Sequence, residues 1–88
     1  MSDWHVYMIA ASDGSLYTGI TKDPQRRFAE HAGGRGARYF RGRQPLCYAY
    51  LESGHDRSSA SRREARIKAM SREQKEGLIA AQRDCRHL

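Results

Sequence analysis

Apolar residues along the chain fall into short runs separated by turn residues. Trp4 to Ala10 is almost continuously apolar and aromatic, the pattern of a buried strand. Ser12-Asp13-Gly14-Ser15 is a turn signal, and Leu16 to Ile20 resumes the run, so residues 4–20 read as a β-hairpin. Alternation along the second strand puts Tyr17 and Gly19 on one face, with Leu16, Thr18 and Ile20 on the other. Asp23-Pro24 then has the form of a helix start, with Asp as N-cap and Pro at the first helical position. This helix is expected to run to about Ala32 and to stop at Gly33-Gly34. Pro24, Arg27, Phe28 and His31 share one face of it at spacings of three and four.

Residues 33–45 form a loop rich in Gly and Arg, and Pro45 precedes a third strand, Leu46 to Leu51. Ser53-Gly54-His55-Asp56 is expected to break the chain before a helix from about Arg57 to Ala69. Ser71 and Gln74 have capping-box spacing and open a last helix to about Gln82, beyond which a polar tail is expected to fray. The order β-β-α-β-α-α predicts an α+β domain, a small three-stranded sheet flanked by three helices. No repeat or linker divides the chain, so residues 1–88 read as a single domain with its core at about 4–82.

Charge changes this picture. Sixteen Lys+Arg stand against ten Asp+Glu, a formal net charge of +6, and 13 of the cations are arginine. Arginine is the better bidentate partner for phosphate, so the balance points to a nucleic-acid partner. Cys47 and Cys85 form no spacing motif, so a disulfide framework is not expected. The residues Met1-Ser2-Asp3-Trp4 lack a signal-peptide pattern, and no apolar run approaches membrane-spanning length. A soluble, cytoplasmic protein with no membrane partner is expected. His5, His31, His55, His87, Cys47 and Cys85 show no zinc spacing.

Two phenols, Tyr7 and Tyr17, stand in the hairpin; Arg27 follows on the first helix, and Glu64 sits among arginines on the second. A phenol, a guanidinium and a carboxylate are what metal-assisted phosphodiester cleavage requires: a proton acceptor, a clamp on phosphate charge, and a ligand for a hard cation. Each residue alone has an ordinary explanation. Strand tyrosines pack on cores, a helix arginine lies on the surface, and His31 reads as a helix-surface residue. Glu64, beside Ala60 and Ile67 on the helical wheel, has Arg62, Arg63, Arg66 and Lys68 as ion-pair candidates. The information lies in the set and its order.

That set resembles the GIY-YIG nuclease domain. The first family motif corresponds to His5-Val6-Tyr7 and the second to Tyr17-Thr18-Gly19. The family's arginine falls on Arg27, the position one turn later on His31, and the metal-binding glutamate on Glu64. The loop Gly34-Arg35-Gly36-Ala37-Arg38-Tyr39 and the helix Arg63-Glu64-Ala65-Arg66-Ile67-Lys68 are similar to those of small stand-alone bacterial members. The chain departs from the pattern at His5, where the motif has glycine, and at Thr18, where it has isoleucine. Ile20 stands where some members have lysine, with Lys22 the nearest substitute.

The resemblance implies a divalent-metal-dependent endonuclease acting on DNA, with RNA not excluded. Tyr7, Tyr17, Arg27, His31 and Glu64 are then the candidate catalytic residues, with Glu64 holding Mg²⁺ or Mn²⁺ and His31 orienting water or phosphate. Either phenol could take the proton of the attacking water. The expected nucleic-acid-binding set is Gly19, Lys22, Arg35, Arg38, Tyr39, Arg41, Arg43 and Lys68, its loop arginines taking phosphates and its aromatics stacking on bases. The alternatives are a non-catalytic nucleic-acid-binding module that retains the fold, or a nuclease subunit that needs a protein partner for targeting.

Overall fold

The structure, a computed structural model, describes residues 3–82. Its elements are β1 (Trp4–Ala11), β2 (Leu16–Thr21), α1 (Pro24–Ala32), a single 3-10 turn (Arg38–Phe40), β3 (Pro45–His55), α2 (Arg57–Lys68) and α3 (Arg72–Gln82). The expected β-β-α-β-α-α order is observed. The sheet runs β2-β1-β3, with β1 central and antiparallel to both neighbours.

The continuous apolar run of β1 is explained by its place. Val6, Tyr7, Met8 and Ile9 have no exposed surface, because both faces of the sheet are covered. Val6 and Met8 point to one side, where Tyr50 and the α2 residues Ala60 and Ile67 complete an aliphatic core with Met70, Leu78 and Ile79 packed around it. Tyr7, Ile9 and Ala11 point to the other, where Phe40 and Tyr48 join them and Tyr17, Phe28 and Tyr39 pack alongside. That second core is aromatic, and it is covered by α1 and the loop that follows.

The caps act as their sequences imply. Asp23 Oδ1 accepts from the Arg26 amide at 3.1 Å, with Pro24 at the helix start. Asp56 Oδ1 accepts from the Ser59 amide at 2.7 Å and starts α2. Ser71 and Gln74 make the reciprocal pair of a capping box, at 2.9 and 3.1 Å.

Two expectations are corrected. Ser53-Gly54 does not end β3. The pairing shifts from Val6–Glu52 to Trp4–His55, a bulge that accommodates one extra residue, and the strand continues to His55. Cys47 on β3 is disulfide-bonded, where no disulfide framework was expected; the other cysteine, Cys85, lies outside the described residues, as does the tail expected to fray. The outer edge of β3 is closed by a side chain. The Gln82 amide accepts from the Leu51 N–H at 3.1 Å and donates to the Leu51 carbonyl at 2.6 Å, occupying backbone groups that an edge strand leaves open. Among the described residues no helix is long and apolar enough to cross a membrane.

Candidate active site

The site is built on the aromatic face of the sheet. Tyr7, at the centre of β1, is paired across to Gly19 on β2, and its ring lies over that residue. A Cβ placed on Gly19 would come within 2.6 Å of Tyr7 Cζ, so the absence of a side chain is what lets the phenol pass. Gly19 therefore shapes the site through sterics. The Tyr7 oxygen is 3.0 Å from His31 Nε2, which α1 presents one turn after Arg27. His31 is 1% exposed rather than on the helix surface, and its Nδ1 accepts from the Ala37 backbone N–H at 3.1 Å. Both ring nitrogens are thus engaged by protein groups, Nε2 by the Tyr7 oxygen and Nδ1 by the Ala37 amide.

Tyr17 completes the cluster, with its ring 6.3 Å from Tyr7 and edge-on to His31 at 5.4 Å. Phe40, in the 3-10 turn, packs against His31 at 4.7 Å. Tyr48 stands edge-on to Tyr7 at 5.2 Å and donates to the Pro24 carbonyl at 2.7 Å. Burial pushes the Tyr7 phenol up to about 12. Tyr17 and the Glu64 carboxylate add to that rise, while Arg27 opposes it as a hydrogen-bond donor and as a positive charge. Burial, and secondarily the Arg27 charge, lower His31 to about 4, so the imidazole is neutral at physiological pH.

Arg27 and its neighbour Arg26 differ in setting. The Arg27 side chain is 33% exposed against 77% for Arg26. Arg27 Nη1 donates to Glu30 Oε1 at 3.0 Å, and Glu30 also receives Arg26 at 3.3 Å. Burial pulls the Arg27 pKa down, but its bonds to Glu30 and Tyr7 outweigh that and raise it. An open groove of about 340 Å³ runs beside Arg27, lined by Trp4, Ile20, Lys22 and Arg26 among others.

Glu64 is answered by Lys68 at 3.2 Å, one turn along α2. Arg63 is drawn away to the Glu52 carboxylate, at 3.1 and 3.2 Å, and Arg62 bonds Ser58. Glu64 is tied to the rest of the site by its electrostatic effect on Tyr7. Among the described residues no cluster of three His, Cys, Asp or Glu side chains could cage a metal. A single carboxylate fits a hard cation that completes its shell with water and phosphate oxygens.

The expected nucleic-acid-binding residues divide. Arg43 is a brace: its Nε donates to Asp13 Oδ2 at 2.6 Å, its Nη1 to the Tyr39 carbonyl at 2.7 Å, and its guanidinium lies 4.2 Å from the Tyr39 ring centroid. Tyr39 in turn packs on Tyr17 at 5.0 Å. Lys22 pairs with Asp3 at 3.6 Å at the end of β2, and Lys68 with Glu64. Arg35, Arg38 and Arg41 are exposed on the loop, and no carboxylate among the described residues pairs with them. Glu30, Tyr48 and the Ala37 amide are site contributors that sequence reasoning missed. Only Glu30 left a signal, its i,i+3 spacing from Arg27.

A family profile described as the GIY-YIG catalytic domain matches residues 3–77, a span that holds Tyr7, Tyr17, Arg27, His31 and Glu64. A UPF0213 protein of Halobacterium salinarum is 57% identical over 75 residues, covering 85% of this chain and 97% of the relative. The solution NMR structure of a UPF0213 protein from Bacillus halodurans aligns with a TM-score of 0.57 at 40% identity, covering 89% of this chain and 83% of that one. The solution NMR structure of a protein from E. faecalis aligns with a TM-score of 0.62 at 34% identity, covering 100% and 98%.

Proposed function

The chain belongs to the GIY-YIG family, whose domain is of the endonuclease type, and we propose that it is a divalent-metal-dependent endonuclease that hydrolyses phosphodiester bonds in DNA. The observation that carries this reading is the convergence of Tyr7, Tyr17, Arg27 and His31 on one aromatic wall, with Glu64 electrostatically coupled to Tyr7.

In this reading Arg27 binds the non-bridging oxygens of the scissile phosphate and offsets the charge that grows on them as water attacks. Glu30 holds the guanidinium in place before substrate arrives. One of the pair, having lost its own proton to solvent, takes as a phenolate the proton of the attacking water while the P–O bond to the leaving oxygen breaks, and the leaving oxygen picks up a proton from solvent. Burial makes Tyr7 a reluctant base, and Arg27 works against that reluctance. Glu64 would hold Mg²⁺ or Mn²⁺, which when bound supplies Lewis-acid stabilisation of the leaving oxygen. Arg35, Arg38 and Arg41 supply phosphate contacts around the site. On this reading the work would lie in the cytoplasm, and a protein partner would supply targeting.

One observation favours a second reading. Glu64 already has an ion-pair partner in Lys68, as a purely structural glutamate would. On that reading the domain binds nucleic acid without cutting it. The deciding experiment incubates wild-type and Glu64→Gln protein with labelled single-stranded, double-stranded and branched substrates, with Mg²⁺, with Mn²⁺ and with chelator. The nuclease reading expects metal-dependent cleavage by wild type. It expects cleavage to be lost in Glu64→Gln, with metal-free binding kept or improved because a phosphate-repelling charge is gone. A wild type that cuts nothing, with a Glu64→Gln protein that melts earlier, would leave the binding module standing.

A further inference from the structure

His31 has one proton to place, and its surroundings fix where it goes. Nδ1 lies 3.1 Å from the Ala37 backbone nitrogen, and a backbone amide only donates, so Nδ1 is an acceptor and bears no proton. The ring is neutral, so its single proton sits on Nε2. Nε2 is 3.0 Å from the Tyr7 oxygen and donates to it. Tyr7 and Tyr17 face the ring from the sheet, Arg27 and Glu30 act on it from α1, and Ala37 and Phe40 close it from the loop. The Tyr7 O–H is therefore turned away from the imidazole, and a phenolate formed at Tyr7 would be stabilised by His31 rather than have lost its proton to it.

We propose that the Gly36–Ala37 turn is a positioning device for the cleavage reaction: its backbone sets the tautomer of His31 and, through it, the direction of the Tyr7 hydroxyl. The effect on cleavage rests on the nuclease reading; the tautomer does not. Two independent features of the turn support it. Ala37 contributes the only group that bonds Nδ1 among the described residues. Gly36 is what lets the turn come close enough, since a Cβ there would lie 2.8 Å from both the Cα and the Cγ of His31, and closer still to Nδ1. The turn is held against the site from outside by Arg43, which ties the loop to Asp13 and to the Tyr39 carbonyl. Without the Ala37 N–H, the imidazole can carry its proton on Nδ1. Nε2 then accepts, and the phenol O–H swings inward, away from any substrate.

The test reads the ring directly. In ¹⁵N-labelled full-length protein, the side-chain ¹⁵N shifts of His31 report which nitrogen bears the proton. The expected result is the Nε2–H tautomer near neutral pH. Ala37→Pro removes the N–H at a residue whose φ is already −68°, within the range of proline. Gly36→Ala is the second variant, which displaces the amide without deleting it. Both are expected to lose the pure Nε2–H signature and to cut about 10–100-fold more slowly, the scale on which a misdirected catalytic group acts. For Ala37→Pro, binding of uncleaved DNA in chelator should stay as in wild type. Ala37→Gly, which keeps the N–H, should behave as wild type in both readouts. A wild-type ring protonated on Nδ1 overturns the proposal whatever the activity, and so does a folded Ala37→Pro protein with wild-type cleavage. A wild type that shows the Nε2–H signature yet cuts no substrate overturns the nuclease reading instead.

Discussion

His31 ties the stability of this domain to pH. Folded, its pKa is lowered to about 4, by burial first and by the Arg27 charge second, with Glu30 opposing. Unfolded, it returns to about 6.5. Between those values the unfolded chain binds a proton that the folded chain refuses, so stability falls as pH falls through the window from about 6.5 to about 4. Above the unfolded value the contribution is whole. At about pH 4.5 the loss from this one ring is about 2.5 kcal/mol relative to neutral pH, from the difference in proton binding at the two pKa values. For a domain of this size that corresponds to roughly 10–20 °C in Tm. Carboxylates with lowered pKa values, among them Glu30, Glu52 and Asp56, also weaken the fold in acid, so the wild-type curve alone does not isolate the ring. His31→Gln does. At neutral pH the variant should be less stable, because it gives up a ring packed against Tyr17 and Phe40. By about pH 4.5 the gap should shrink by about 2.5 kcal/mol, since glutamine does not titrate. Urea denaturation followed by the fluorescence of Trp4, the chain's single tryptophan, measures both gaps. An equal gap at the two pH values would refute the claim that this imidazole is held neutral in the folded protein.

Gly19→Ala should cost about 1–3 kcal/mol by overpacking and abolish cleavage, because its Cβ would meet the Tyr7 ring at 2.6 Å from Cζ. Wild-type melting and turnover in that variant would show that the phenol does not need this passage. Replacing Arg38 and Arg41 together should flatten the plot of log K against log [salt] for DNA binding by roughly one to two units. Arg43→Ala should leave that slope unchanged and lower Tm, since its cation is committed to Asp13 and Tyr39. An unchanged slope in the double variant would move the binding surface to α2.

The element order was legible because the punctuation is local. Asp23-Pro24, Ser71 with Gln74, and the Ser12-Asp13-Gly14-Ser15 turn each act within a few residues of themselves. What was not legible depends on distant partners. Ser53-Gly54 looks like a strand end in isolation, but the length of β3 is set by its pairing with Trp4 to Val6. Helical spacing puts His31 on a face with Arg27 and Phe28, yet only the return of the loop through Ala37 and Phe40 buries that face. Arg43 reads as one more loop cation until Asp13, thirty residues away in sequence, is seen to hold it. The partner of Glu64, by contrast, follows from spacing: of the four nearby cations only Lys68 stands at i+4, while Arg62, Arg63 and Arg66, one or two residues away, do not face it.

The two faces of the sheet divide the work unequally. The side under α2 is aliphatic, and a substitution such as Ile67→Val there changes packing alone. On the other side the core and the candidate site are the same residues, since Tyr7, fully buried, is at once a core aromatic and the phenol that His31 addresses. A loss of cleavage after a change at Tyr7 or His31 therefore does not separate chemistry from folding. Glu64 is separable because its margin position leaves the core intact. Ala37 is separable because it reaches the site through a backbone amide. Glu64 and Ala37 are therefore the positions at which chemistry is read apart from folding, with the imidazole's ¹⁵N signature as the link between Ala37 and Tyr7.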